Sequence, residues 1–330
     1  MSNVRIQGVE VVHPEKSVDN QYYIDHFLKQ GKKIDRLLEA YGRKKRYIND
    51  NDKENIITMA SEAGKKVLES CNLTGDDIDL FIFTTQTPEY IWPNNSIIIF
   101  ENLKINPKAQ VFDLNANCLG MLTAVLNANS VMKGNPRVNR ALIIGSDEFS
   151  TVSNRNNEYL YPILGDSACA VVLEKTENEN EGILDFEFCS CGEPALTCAR
   201  YPNNGFKELF LDKNKELFTW WDPADTSFLS DVAINEVNEI SRRTGIANRD
   251  VDHFCHSQFA KSLIRNIAKG IDVDFDKFVY VGDKYGYTGT TSPFVSLYEG
   301  IKSGKIKRGD TVSMWSVGLF WVTCALIMRY

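Results

Sequence analysis

Three places along this chain of 330 residues hold groups that can do chemistry just past an apparent strand: Cys118, His256 and the loop at Gly286. Cys118 stands in Phe112-Asp113-Leu114-Asn115-Ala116-Asn117-Cys118-Leu119-Gly120, where an extended run meets small residues and then an apolar pattern of helical period reaching about Met132. A thiol at a strand-to-helix turn faces unpaired backbone N–H groups and the positive end of the helix dipole, which favours the nucleophilic thiolate. Taken alone, the motif fits a buried core cysteine equally well. His253-Phe254-Cys255-His256 offers two imidazoles, but residues three apart on a strand point to opposite faces, so at most one of them can serve a site. Cys189-Ser190-Cys191 with Cys198 lacks a second ligand pair at metal-finger spacing, and no metal is expected.

The elements that must position these groups repeat. A helical segment from Ile56 to Ser70 leads through a turn and Asp77-Ile78-Asp79 into the strand Leu80 to Thr85. A second, from Asp231 to Thr244, leads through a turn and Asp250-Val251-Asp252 into His253 to Gln258. Next come a strand at Ala109 to Leu114 with the Cys118 helix, and a strand at Lys277 to Val281 with a helix reaching about Ser303. Apolar strands close each half: Arg140 to Gly145 and Ala168 to Leu173, then Thr311 to Ser316 and Trp321 to Met328. The acidic stretch from Glu174 to Gly182 is read as the join, giving halves 1–176 and 177–330. Alternating helices and buried strands predict a layered α/β fold with mostly parallel central pairing. Ligands of such sheets gather outside the strands' carboxyl ends, where the three places could converge.

Composition narrows the function. With 43% hydrophobic and 25% charged residues the chain is ordinary globular material, and a net charge of -7 argues against nucleic acid as a bulk partner. No apolar run approaches the roughly 18 residues needed to span a bilayer, so no membrane association and a cytoplasmic location are expected. Eight cysteines without an apparent secretory leader read as reduced thiols.

These segments together resemble β-ketoacyl-acyl-carrier-protein synthase III and its relatives in the thiolase-like superfamily. The resemblance runs through Thr84-Thr85-Gln86-Thr87-Pro88 to Trp92-Pro93, Phe112-Asp113 to Gly120, Gly165-Asp166 to Glu174, His256, Tyr285-Gly286-Tyr287-Thr288, Lys305 to Asp310 and Gly318 to Tyr330. It implies a duplicated five-layer αβαβα fold and ping-pong acyl transfer from coenzyme A or an acyl carrier protein, with no permanently bound cofactor. Cys118 then carries the acyl group, and the backbone N–H groups of Cys118 and Leu319 form the oxyanion hole, although the family's glycine run reads Val317-Gly318-Leu319-Phe320 here. His256 takes the place of the active-site histidine.

Tyr287 is the departure, because the chain-initiating members carry asparagine after this glycine, to stabilise the enolate left by malonyl decarboxylation. A tyrosine there makes fatty-acid initiation a poor expectation. The resemblance points instead to an acyl-thioester condensing enzyme of specialised metabolism acting on a carbon nucleophile. An O- or N-acyltransferase, or a partner subunit of a heteromeric synthase, is the alternative. Trp92 matches a region that shapes the acyl pocket across a homodimer, with interface packing the plainer reading. Lys261, Arg265 and Lys269 at spacings of four form a basic stripe that resembles a docking face for an acidic carrier protein, and is otherwise a solvated face.

Overall fold

The computed structural model describes residues 3–191, 199–203, 205–207, 211, 218–221 and 225–330. Its first sheet has five strands: β1 (Asn3–Val12), β4 (Leu80–Thr84), β5 (Gln110–Leu114), β6 (Arg140–Asp147) and β7 (Ser167–Thr176), in the order β1-β7-β6-β4-β5. The second has four: β8 (Gly182–Ser190), β11 (His253–His256), β12 (Thr311–Gly318) and β13 (Val322–Arg329), in the order β11-β12-β13-β8. Two small sheets pair β2 (Ser17–Asp19) with β3 (Lys45–Tyr47) and β9 (Ala199–Arg200) with β10 (Trp220–Trp221).

Side chains alternating across each strand assign the layers. In β4, Leu80 and Ile82 pack with Met121, Leu122 and Val125 of the helix Gly120–Gly134 and with Phe294 of the helix Ser292–Lys302. Val312 and Met314 of β12 close the same cluster from the other side, so these two helices form a central layer between the sheets. Phe81 and Phe83 point the opposite way, onto the helices Ile56–Ser70 and Asn95–Leu103. Trp315 and Ala325 of the second sheet meet the helices Leu229–Thr244 and Lys261–Gly270. The result is the five-layer αβαβα arrangement expected of the thiolase-like fold. Local chemistry agrees: a capping box starts the helix at Ile56, the Asn55 carboxamide accepting from Thr58 N at 2.9 Å while Thr58 Oγ1 accepts from Asn55 N at 2.9 Å.

Two expectations need correction. The pairing is mixed rather than mostly parallel: β4–β5, β4–β6 and β11–β12 run parallel, whereas β1–β7, β6–β7, β12–β13 and β13–β8 run antiparallel. For β12 and β13 the cause is the short link Leu319–Trp321, which permits only a hairpin-like return. The segment 277–281 is not a strand either. A 3-10 turn covers Phe275–Lys277, pairing with β11 is limited to an isolated parallel bridge between Phe278 and Phe254 with Val279 N on Phe254 O at 2.9 Å, and the N–H groups of Val281 and Gly282 donate to Gln258 Oε1 at 2.8 and 3.0 Å.

Candidate active site

The carboxyl ends of β4, β5, β6 and β11 deliver the chemistry to the middle of the molecule. Past β5 the chain turns sharply: Asn117 takes a left-handed conformation (φ 53°), and the helix begins at Gly120. A side chain at Gly120 is excluded, since a Cβ there would lie 2.1 Å from Thr84 Oγ1. The turn consumes the N–H groups that were expected to face the thiol. Leu119 N donates to Ala116 O, Gly120 N to Asn117 O, and Met121 N to Thr290 Oγ1 at 2.8 Å. Cys118 is 9% exposed, and burial, the largest influence, pushes its thiol up to about 11, with Tyr287 and Gln86 pulling it back and Asp147 adding to the rise. The sequence expectation of an acidified thiol is thus reversed in the resting protein.

The thiol donates to Gln86 Oε1 at 3.4 Å. The orientation of that carboxamide is fixed from behind by Asp147 at the end of β6, which is fully buried and collects four donors. These are Gln86 N at 2.7 Å, Gln86 Nε2 at 3.0 Å, Thr85 Oγ1 at 3.2 Å and Thr290 N at 3.0 Å. Because Nε2 is committed to the carboxylate, Oε1 must face the sulfur.

Strand alternation decides the histidine question. Phe254 belongs to the outer cluster and Cys255 to the inner one, so His256 faces outward again. Its ring is fully buried among Phe254, Phe278 and Trp315, at centroid distances of 5.6, 5.1 and 6.2 Å, and Nε2 lies 3.5 Å from Ser313 Oγ. Burial pulls this imidazole down to about 3. His256 is not among the described residues lining the Cys118 cavity, so the geometry does not bring it to the thiol. The next residue, Ser257, continues the register, with its N–H on Trp315 O at 2.7 Å, and its side chain turns inward. Tyr287, fully enclosed at the cavity wall, interacts with both Cys118 and Ser257. Ser257 Oγ is buried without a hydrogen-bond partner. Burial and the adjacent thiol hold the Tyr287 phenol well above its ordinary value.

A cavity of about 140 Å³ opens beside Cys118, walled mainly by Phe149, Leu160, Leu164, Trp221, Phe259 and Trp321. Val317, Gly318 and Leu319 form one side. A Cβ at Gly318 would sit 3.0 Å from Ala116 O, so glycine at this position lets the loop approach the Cys118 turn closely. Trp92, by contrast, is 88% exposed in a loop with Tyr90 and Ile91 and does not line its own chain's cavity. Lys261 and Arg265 do share a face of the helix Lys261–Gly270, each seated on a ring: Lys261 Nζ is 4.9 Å from the Tyr280 centroid, and the Arg265 guanidinium 5.5 Å from that of Phe275. Lys269 extends the stripe into solvent. His253 lies 3.4 Å from Asp310, away from the cavity.

Sequence reasoning missed Gln86, Asp147, Ser257 and Arg43. The buried Arg43 guanidinium donates to the carbonyls of Gln258 and Phe259, both at 2.7 Å, and of Ile163 and Gly282, pinning the turn that carries Ser257. Gln86 and Asp147 were signalled by their place just past or at the end of strands. Cys189 and Cys191 stand 3.7 Å apart, sulfur to sulfur, while Cys198 lies outside the described residues. Among the described residues no group of three or more His, Cys, Asp or Glu side chains could hold a metal, and no helix is long and apolar enough to cross a membrane.

Comparison with known proteins gives this geometry a family. The pattern described as 3-oxoacyl-(acyl-carrier-protein, ACP) synthase III matches residues 112–192, and that of its C-terminal part matches residues 242–330. The chain belongs to the 3-oxoacyl-(acyl-carrier-protein) synthase III family. It is 30% identical to the β-ketoacyl-(acyl-carrier-protein) synthase III of Clostridium perfringens, covering 97% of this chain and 98% of that protein. The crystal structure of 3-oxoacyl-(acyl-carrier-protein) synthase III from Aquifex aeolicus superposes with a TM-score of 0.86 at 24% identity, covering 99% of this chain and 100% of that one. A priming β-ketosynthase from a polyketide biosynthetic pathway superposes at 0.87 with 20% identity, covering 99% and 96%. Synthase III enzymes are acyl-transferring condensing enzymes. Where the family resemblance calls for cysteine, histidine and asparagine, Cys118 and Tyr287 line the cavity of this chain, and Ser257 is fully buried in contact with Tyr287.

Proposed function

We propose that this synthase III relative takes an acyl group from a coenzyme A or acyl-carrier-protein thioester onto Cys118 and hands it to a second substrate, without serving as a malonyl-decarboxylating initiator. The observation that carries the reading is the placement of the Cys118 thiol at the end of an apolar cavity, against the glycine-mediated approach of the Val317–Leu319 segment. In the loading step the Cys118 sulfur bonds to the acyl carbon, the donor's carbon–sulfur bond breaks, and the thiol proton leaves with the donor sulfur. The N–H groups of Cys118 and Leu319 would receive the oxyanion. Leu319 opens a 3-10 turn, so its N–H has no acceptor within that turn. Each such donor is worth about 3 kcal/mol in the transition state.

The replacement of both partner residues favours a setting in specialised metabolism. A malonyl carboxylate is lost only as fast as its enolate is stabilised, and a serine and a high-pKa phenol make a weaker pair for that than an imidazole and a carboxamide. A carbon acceptor would therefore arrive already activated, as a β-keto thioester does. The Lys261, Arg265 and Lys269 stripe suits an acidic carrier protein, and the exposed Tyr90-Ile91-Trp92 loop suits a second copy of the chain or a related synthase. Stopped-flow mixing with acyl-coenzyme A donors of increasing length tests the reading: a burst of one equivalent of free coenzyme A per chain is expected before any acceptor is added. A Cys118→Ala variant with the same burst would contradict it.

A further inference from the structure

Once Cys118 is acylated, the hydrogen that the thiol gave to Gln86 is gone, and Gln86 Oε1 faces the reacting carbon with an empty acceptor position. It cannot turn away. Asp147 holds Nε2 at 3.0 Å and the Gln86 backbone N–H at 2.7 Å, and is itself locked by Thr85 and Thr290. The reaction centre therefore meets the negative end of a fixed amide dipole backed by a buried carboxylate. From that arrangement we infer that the second substrate is a neutral primary amine, received through an N–H donated to Gln86 Oε1. This deepens the proposed function and rests on acyl loading of Cys118.

The same field discriminates among acceptors. A malonyl thioester brings a carboxylate and must pass through an enolate, and both are anions placed beside an oxygen dipole of like sign. A hydroxyl must lose its proton as it attacks, and the described lining residues include no histidine, carboxylate or lysine to take it. A neutral amine attacks with its own lone pair and needs no prior deprotonation. The nitrogen–carbon bond forms, the Cys118 carbon–sulfur bond breaks, and one amine hydrogen passes to the departing sulfur. The Tyr287 hydroxyl, which contacts that sulfur, is placed to relay the proton and ends as it began. The products are an amide and the free Cys118 thiol, with no oxidant or further reactant required. Apolar walls such as Phe149 and Phe259 favour the uncharged form of the amine.

The test starts from isolated acyl-enzyme, loaded with acetyl- or octanoyl-coenzyme A, freed of donor and verified by intact mass. It is then mixed with n-butylamine, n-butanol or malonyl-coenzyme A, and loss of the acyl mass and the product are followed by mass spectrometry. Butylamine should discharge the enzyme at least tenfold faster than buffer, giving the N-butyl amide, while butanol and malonyl-coenzyme A should not. In Gln86→Leu the amine step should fall relative to the loading step by roughly 10-fold, the scale of one hydrogen bond. That split between half-reactions separates a receiving role from a general loss of fold. A β-ketoacyl product from malonyl-coenzyme A overturns the inference, as does amine discharge no faster in wild type than in Gln86→Leu. A chain that no acyl-coenzyme A or acyl carrier protein loads removes the proposed function, and this inference with it.

Discussion

The resting Cys118 thiol should be far less reactive than an unfolded cysteine at neutral pH, and the pH profile of its alkylation gives a direct reading. Burial pushes it up to about 11, whereas the same thiol in an unfolded chain titrates near 8.5. At pH 8 the folded protein then holds about 0.1% thiolate against about a quarter in the unfolded chain, a difference of roughly 200-fold. The assay is iodoacetamide labelling at a series of pH values, with Cys118 occupancy read from its own peptide by mass spectrometry and urea-unfolded protein as the reference. The folded rate should rise about tenfold per pH unit from 7 to 10 without levelling, since the thiolate appears only as pH climbs through the folded pKa. A rate that levels off below pH 9, or one that is flat between pH 6 and 9 as for a thiolate paired with imidazolium, would refute the reasoning. It would mean that the turn or an unseen partner stabilises the anion after all.

His256 should matter to stability and little to transfer. Its folded pKa of about 3 lies below the unfolded value of about 6.5, so the unfolded chain binds the extra proton between those limits and wild-type stability drains away as pH falls through that window. His256→Phe should flatten the acid limb of urea-unfolding stability by up to about 1.4 kcal/mol per pH unit below 6.5, and acyl loading should persist. An unchanged acid limb, or abolished loading in a folded variant, would return the histidine to the site. Reversing Lys261 and Arg265 to Glu should weaken transfer from an acyl carrier protein several-fold at low salt, and less at high salt, while coenzyme A donors are nearly unaffected. Indifference to the reversal would leave the stripe as a ring-seated solvated face.

Much of the fold was legible because its signals are local. The helical segment from Ile56 to Ser70 is reproduced residue for residue, and β4 and β13 fall within a residue of where their apolar runs predict. Pairing direction was not legible, because it depends on which strand ends meet after the whole chain has packed. The site divides in the same way. Cys118 was suggested by its strand-to-helix turn, and Leu319 only by the family resemblance. The choice between His256 and Ser257 turns on which face of β11 looks inward, and that is set by Phe254 and Cys255 finding their separate cores. The raised thiol depends on Thr290 taking Met121 N and on Asp147 lying behind Gln86, contacts of high sequence separation that no spacing rule encodes.

The central claim is that the acyl group resides on Cys118. Peptide mapping of the protein after exposure to acyl-coenzyme A or acyl-carrier-protein donors tests it most directly. One acyl mass per chain is expected, on the peptide containing Cys118, absent in Cys118→Ala and removed by neutral hydroxylamine as a thioester must be. An adduct on another residue, or an undiminished adduct in Cys118→Ala, would contradict the account.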